Sequence, residues 1–456
     1  MNHSLRLGLN WWNTWQEQSA NRRVFGALVI VGACTVLVKL VAFLKDAVVA
    51  YQFGTGDALD AFLIALVLPQ FAITLVGGSL NVALIPTYIQ VQEREGRNAA
   101  NQLMSSATVI TALFLVTLSI VLALTATHIL PLLASGFSDE KLALSHSIYL
   151  VLLCTLILHG LGTAWGAVLN AMNRFTLVAT VPIITSLVTL AAVLALTRSY
   201  GAHALALGTV GGALIETGLI GWWLTREGVS ILPRWGGVTP AVRQVLRQYF
   251  PMIAGAFLMG GTSVVSQSMA AMLDPGSVSA LAYGSKVTNM LLGIGATAVS
   301  TAFLPHFSRL VAVADWGGLR HTITTYARLL LMVTIPITAL LIYFSEPLVA
   351  ILFQRGAFTE ENTRIVASAQ AMYLLQVPVY IVGMLFVRLV SALKANHLMM
   401  WTNVLNLSLC IVLTHVLSQW WGVAGIALAT SIIYLVNTCV LSWMVLKMIK
   451  RPSHRW

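Results

Sequence analysis

Charge is what this 456-residue sequence has least of: 9% of its residues are Asp, Glu, Lys or Arg, against 58% apolar, where a soluble domain carries roughly 25% and 45–50%. The shortage excludes most soluble enzymes and points to a polytopic membrane protein. Carboxylates are scarcer than cations, with 15 Asp and Glu against 26 Lys and Arg and a formal net charge of +11. The excess does not imply a nucleic-acid partner. The basic residues sit between apolar stretches and form no patch, which is how a membrane protein marks its cytoplasmic side. Four cysteines occur, Cys34, Cys154, Cys410 and Cys439, all inside apolar runs and without CxxC spacing, so neither a metal site nor a disulfide framework is indicated. There is no GxxxxGK(S/T) phosphate loop, no HExxH, and no Ser/His/Asp or paired-carboxylate constellation. The near match Gly293-Ile294-Gly295-Ala296-Thr297-Ala298 lies inside an apolar run, where a dinucleotide-binding turn has no place. No catalytic residue and no cofactor is expected, and any work the protein does must draw on a coupling ion, the membrane potential or its substrate.

What is present is a series of apolar runs of the roughly 20 residues that a helix needs to cross hydrocarbon. They begin near Val24, Leu59, Leu103, Ser145, Val178, Ala204, Phe250, Val278, Tyr326, Val366, Trp401 and Gly422 and predict an all-α fold of about twelve transmembrane helices. Pro69, Gly77 and Gly78 predict a kink or break in the second. An even number of spans leaves both termini on one side. Arg94, Arg97, Arg174, Arg226, Arg320 and most other loop cations fall on that side, and Lys141, Arg198, Arg355 and Arg364 on the other, so both termini are expected in the cytoplasm. The expected division is a cytoplasmic or interfacial segment over 1–23, with Trp11, Trp12 and Trp15 as anchors, then a six-helix bundle over 24–225. A cytoplasmic linker over 226–248, a second six-helix bundle over 249–447 and a basic cytoplasmic tail over 448–456 follow. Connections are short, so function must sit within the bundles.

The halves repeat. Ala83-Leu84-Ile85-Pro86-Thr87-Tyr88 resembles Ala302-Phe303-Leu304-Pro305-His306-Phe307, Gly136-Phe137-Ser138-Asp139-Glu140 resembles Ala357-Phe358-Thr359-Glu360-Glu361, and Asn173 pairs with Asn396, all in order at nearly constant spacing. Six helices separate the copies, so both halves have the same orientation, related by a pseudo-two-fold axis along the membrane normal. Two such bundles can rock about a central cavity. An old duplication in a structural protein is the simpler alternative.

Charges within apolar segments are the candidates for chemistry. Lys39 and Lys45 lie on the first helix or its end with Asp46 adjacent, and Asp57 and Asp60 follow an FGTG turn. At about 100° per residue, Lys39 and Asp46 share a helix face while Lys45 points about 100° away. An ammonium in hydrocarbon costs about 3 kcal/mol or more unless it meets water, an anion or a carboxylate, so Lys39 is expected to face the bundle interior. The alternative is a structural Lys–Asp pair, or snorkelling for Lys45. Lys286 sits within Ala282-Tyr283-Gly284-Ser285-Lys286-Val287-Thr288-Asn289, the small and polar composition of a helix that lines a wet cavity. Together the three lysines can form a cationic site for phosphate. Glu216 in the sixth segment either couples the protein to protons or makes a helix–helix hydrogen bond. His159 and His415 read as bundle residues and not as ligands.

Several segments together resemble the MurJ/MviN family of the multidrug/oligosaccharidyl-lipid/polysaccharide exporter superfamily: Phe43-Leu44-Lys45-Asp46 through FGTGDALDAF (53–62), Leu68-Pro69-Gln70, Ala83-Leu84-Ile85-Pro86, Ala302-Phe303-Leu304-Pro305 and LFQRGAFTEENT (352–363). The resemblance implies an alternating-access flippase of the bacterial inner membrane, a transporter and not an enzyme. Its substrate would be an undecaprenyl-pyrophosphate-linked glycan, and membrane lipid and glycan synthase or polymerase proteins would be its partners. It also implies that Lys39 and Lys45 stand where the family has arginines of its first helix, Asp60 at an aspartate of the family pattern and Lys286 at a cavity arginine. Lys39, Lys45, Lys286 and Asp60 are thus the expected pyrophosphate site, with Asp46 and Glu216 as coupling or structural charges. Each lysine keeps the charge but replaces a planar fork by a point charge. Two arginines of the family pattern read Ile73 and Thr74 here, its next acidic residue reads Gly78, and twelve helices are counted where the lipid II flippases have fourteen. These departures favour an exopolysaccharide repeat unit over lipid II as cargo, with a cation-coupled drug exporter of the same superfamily as a further alternative.

Overall fold

In the computed structural model, the described residues are 20–231, 235–237 and 239–450, apart from the side chains of residues 20–31, 81–82, 250–251 and 450. The interfacial segment expected over 1–23 and the tail expected over 448–456 lie mostly outside them. The described residues hold helices and no strand. The first half comprises α1 (Ala20–Phe53), α2 (Asp57–Glu95), α3 (Arg97–Leu133), α4 (Asp139–Ala171), the short α5 (Phe175–Thr180), α6 (Pro182–Tyr200) and α7 (His203–Arg226). The second comprises α8 (Pro240–Ala271), α9 (Ser277–Ala312), α10 (Trp316–Tyr343), the short α11 (Ser345–Phe353), α12 (Glu360–Leu374), α13 (Gln376–Ala392) and α14 (His397–Lys450). Among the described residues, ten spans are long and apolar enough to cross a membrane, counting α5–α6 and α12–α13 as one each. The bend of α14 at Gly422 divides it into two arms, and with the 34-residue α1 the expected twelve crossings are reached. The second helix does not break: α2 runs through Pro69 and Pro86. Gly77 serves packing there, since a Cβ would lie 2.8 Å from Thr163 of α4, and close backbone approach is what holds helices together in lipid.

The repeat is visible in local chemistry at a spacing of 221 residues. Ser138 and Thr359 cap the N-termini of α4 and α12, each hydroxyl accepting from the backbone N–H three residues on. Thr217 donates to the Leu158 carbonyl as Thr438 donates to that of Val379. Gly201 and Gly422 share one unusual backbone conformation, φ 52°, ψ −131° and φ 54°, ψ −130°, which side chains disfavour. Of the three described non-glycine residues with positive φ, Asn173, Ala314 and Lys394, the first and the last stand at this spacing, so the backbone equivalent of Asn173 is Lys394 and not Asn396.

Following the chain, the start of α1, the end of α14, the α2–α3 turn and the α4–α5 turn share one end, the termini end; the α1–α2, α3–α4 and α8–α9 turns share the other, the far end. At the far end the two halves share one core, in which Leu59, Ile64 and Tyr149 of the first pack with Val278, Phe353, Val366 and Ile426 of the second. Toward the termini end the core divides. One cluster holds Leu84, Tyr88, Met104, Val168 and Leu224 with Val245 of α8; the other holds Phe307, Leu319, Leu385, Leu389 and Val445. The halves thus join at the far end and part at the termini end. Helix α8 packs along both α2 and α14.

Candidate functional site

Where the parting meets the shared core lies a cavity of about 200 Å³. Its walls are α1 (Lys45, Asp46, Val49), α2 (Leu59, Phe62, Leu63, Leu66), α6 (Thr185, Ser186, Thr189), α7 (Leu205, Thr209) and α9 (Ala282, Tyr283, Lys286). The carboxylate of Asp46 stands between two ammonium groups: Oδ1 faces Lys45 Nζ at 3.0 Å and Oδ2 faces Lys286 Nζ at 2.5 Å. Two lysines against one aspartate leave the cluster with a net positive charge. Because Lys286 belongs to the second half, the carboxylate also ties α1 to α9. Below it, Tyr283 packs against Phe353 and Phe358 with ring centroids 5.0 and 5.6 Å away, and Phe43 reaches Phe353 at 5.5 Å. The Tyr283 hydroxyl is buried and has no hydrogen-bond partner among the described residues. Thr185, Ser186, Thr189 and Thr209 furnish the opposite wall. A dianionic group entering here could take both ammonium groups from Asp46, since a lysine is a rotatable point charge that accepts any anionic oxygen.

The other sequence candidates fall around this cluster. Lys39 is exposed, seven residues before Asp46 on the same helix face and so about 10 Å nearer the termini end; no ion pair or hydrogen bond engages it among the described residues. Glu216 of α7 does not line the cavity but supports its wall: Oε2 accepts from Thr185 Oγ1 at 2.5 Å. The two helices can approach so closely because α7 carries Gly208 and Gly212, where a Cβ would lie 2.7 and 2.6 Å from the Cα atoms of Thr189 and Thr185.

Asp60 is placed elsewhere. It is 1% exposed and sits in the far-end seam, where Oδ2 accepts from Lys141 Nζ at 2.9 Å and from Gly276 N at 2.8 Å, and Oδ1 accepts from Ser279 N at 2.8 Å. A carboxylate of the first half therefore caps the N-terminus of α9 in the second, satisfying backbone donors that the helix leaves open and meeting the positive end of its dipole. Lys141 also reaches Asp57 at 2.6 Å and lies 3.9 Å over the Phe137 ring. Gly276, with φ +88° and the Thr55 carbonyl 2.5 Å from where its Cβ would be, admits no side chain. A second stitch crosses nearby: Ala357 N donates to Tyr51 O at 2.9 Å. From the sequence alone Lys141 reads as a loop cation. Its position three residues after Ser138, in the first turn of a helix facing the Asp57–Asp60 pair, was the available signal.

Against known proteins, the sequence matches the family described as lipid II flippase MurJ over residues 49–455. A probable lipid II flippase MurJ of Synechocystis sp. is 27% identical over 436 residues, covering 91% of this chain and 80% of the relative. Among solved structures, a lipid II flippase MurJ in an inward closed conformation aligns with a TM-score of 0.80 at 23% identity, covering 92% of this chain and 89% of that one. An inward-facing multidrug resistance MATE family transporter of the MOP superfamily aligns with a TM-score of 0.77 at 12% identity, covering 93% and 99%. The structural likenesses establish a shared fold. With a family match that spans most of the sequence, the chain belongs to the MurJ family.

Proposed function

We propose that the protein is a flippase, a transporter and not an enzyme, that carries lipid II across the bacterial inner membrane by alternating access. The observation that carries this reading is the Lys45–Asp46–Lys286 cluster at the wall of a cavity between the halves that is also lined by Thr185, Ser186, Thr189 and Thr209. A polyprenyl-linked diphosphate needs ammonium groups at membrane depth, its sugars need hydroxyl-bearing walls, and its tail can stay in lipid. Basic loops at the termini end support a cytoplasmic placement of that end, so that the parted side faces the cytoplasm. In this reading the diphosphate passes Lys39, displaces Asp46 from Lys45 and Lys286, and so loosens the tie between α1 and α9. Opening to the other side then requires Asp60 to release the N-terminus of α9.

The departures at α2 favour a second cargo, the lipid-linked repeat unit of an exopolysaccharide. Thr74 and Gly78 are exposed one turn apart on α2, and a Cβ on Gly78 would meet nothing within 4 Å, so neutral residues face open space where the family pattern has charges. The relatives weigh toward lipid II, since the family and the Synechocystis protein both carry that name. The test is reconstitution into liposomes with fluorescent lipid II or a polyprenyl-diphosphate repeat unit lacking the peptide, scoring access of an external hydrolase. Faster translocation of lipid II is the expected result. Translocation of the repeat unit alone would move the assignment to the second cargo, and translocation of neither would overturn the flippase reading.

A further inference from the structure

On the outer side of the far-end seam lies a second cavity, of about 420 Å³, which the transport path does not use. It is lined by Asp274 and Ser277 at the α8–α9 turn, Glu361 and Asn362 at the start of α12, and Trp421 beside the Gly422 bend of α14. Its chemistry is opposite to that of the central cluster. The carboxylates of Asp274 and Glu361 make no ion pair or hydrogen bond among the described residues; the nearby Arg364 is taken by Glu360 at 2.5 Å. Ser277 is 7% exposed, lines the cavity, and its hydroxyl has no partner among the described residues. Trp421 is 55% exposed. The left-handed Gly422 turns the chain immediately after it.

Unengaged carboxylates accept from hydroxyl or ammonium donors and repel phosphate. An exposed indole offers a flat face to the C–H side of a sugar ring while its N–H stays free to bond. A metal ion fits less well, because the described residues contain no group of three or more His, Cys, Asp or Glu side chains that could hold one. We propose that this cavity binds a phosphate-free sugar ring, the glycan part of the lipid-linked cargo after it has crossed. This rests on the flippase reading and its orientation. The site belongs to the closed seam: Ser277 follows Gly276, whose N–H Asp60 holds, so a bound sugar stabilises the state in which the far end is shut. The two cavities thus act in succession, the cationic one receiving the diphosphate-linked headgroup before it crosses and the anionic one accepting its sugar afterwards while rejecting phosphate.

The experiment measures binding of the soluble N-acetylglucosaminyl-N-acetylmuramyl disaccharide to the full-length protein in detergent by saturation-transfer NMR. Inorganic pyrophosphate and calcium ion serve as separate probes. Trp421→Ala and the double variant Asp274→Asn/Glu361→Gln, all at exposed positions, should each weaken disaccharide binding by about tenfold, the loss of one or two charge-assisted hydrogen bonds or a ring contact. Lys286→Ala should leave it unchanged, and pyrophosphate should not compete. No disaccharide binding to the unaltered protein, equal binding to all variants, or calcium binding abolished by the double variant would each overturn the assignment. Failure here with intact lipid II translocation removes the outer site alone. Disaccharide binding with no translocation of any lipid-linked glycan removes the flippase reading and leaves the site.

Discussion

The two ends of the molecule are built on different principles although the halves that form them are copies of each other. At the far end, first and second halves interlock through backbone: Asp60 grips the amides of Gly276 and Ser279, Ala357 bonds to Tyr51, and one apolar core runs across the join. At the termini end each half closes on its own core, and α8, which packs along α2 and α14, is the helix that connects them. Across the far end a few directional bonds, most of them on one buried carboxylate, join the halves over a shared apolar core; at the termini end the apolar contacts lie mostly within each half. A molecule that must open alternately would place breakable hydrogen bonds at the end that is shut and self-sufficient cores at the end that is open.

That contrast can be broken most severely at Asp60. Asp60→Ala leaves Lys141 with Asp57 alone and strands two amides at the start of α9, and removing one partner of a buried pair costs about 3–5 kcal/mol. A large drop in melting temperature is expected, together with faster labelling of a Ser277→Cys thiol by a membrane-impermeant reagent; unchanged melting and labelling would show that the seam is held by its apolar core. The α6–α7 contact tests distributed packing. Gly212→Leu must displace the Thr185 backbone 2.6 Å away, an overpacking that costs about 1–3 kcal/mol, and a lower melting temperature without faster Ser277→Cys labelling is expected. Glu216→Gln should change little, since the amide oxygen still accepts from Thr185: translocation within about twofold of normal, whereas abolished translocation with normal melting would make Glu216 a coupling group. Least is expected of Asp57→Asn. The Asp57 carboxylate is mostly exposed, and such pairs contribute about 0–1 kcal/mol, so a shift in melting temperature near that for Asp60→Ala would assign the seam to the wrong carboxylate.

Much of the fold could be read from the sequence because its signals are local. Apolar runs, the duplicated Leu-Ile-Pro and Phe-Ser-Asp-Glu segments and the loop cations each report on one helix or its end. The Lys45–Asp46–Lys286 cluster was half legible: each charge at membrane depth demanded a partner, and Asp46 proved to serve both lysines. Asp60 was not legible as a seam residue. Its partners are backbone amides 216 and 219 residues away, and an amide leaves no trace in side-chain identity. Lys39 illustrates the reverse: the face it shares with Asp46 is readable from helical spacing, but it is exposed and lines no described cavity where an interior position is expected, because exposure is set by helices remote in sequence. The outer cavity was hidden for a related reason, since Asp274, Glu361 and Trp421 come from three separate turns and meet only through the packing of α9, α12 and α14.

In the flippase reading, the ammonium groups around Asp46 receive the diphosphate of the cargo. This role is tested most directly by the rate at which liposomes containing Lys286→Ala, Lys286→Arg or the unaltered protein translocate fluorescent lipid II, at matched protein content. Asp46 keeps Lys45 in every case, so folding is preserved. The expected result is a loss of about tenfold to a hundredfold for alanine, the value of one charge-assisted contact of about 1.5–3 kcal/mol, with arginine retaining most of the rate. Equal rates for alanine and the unaltered protein would contradict it.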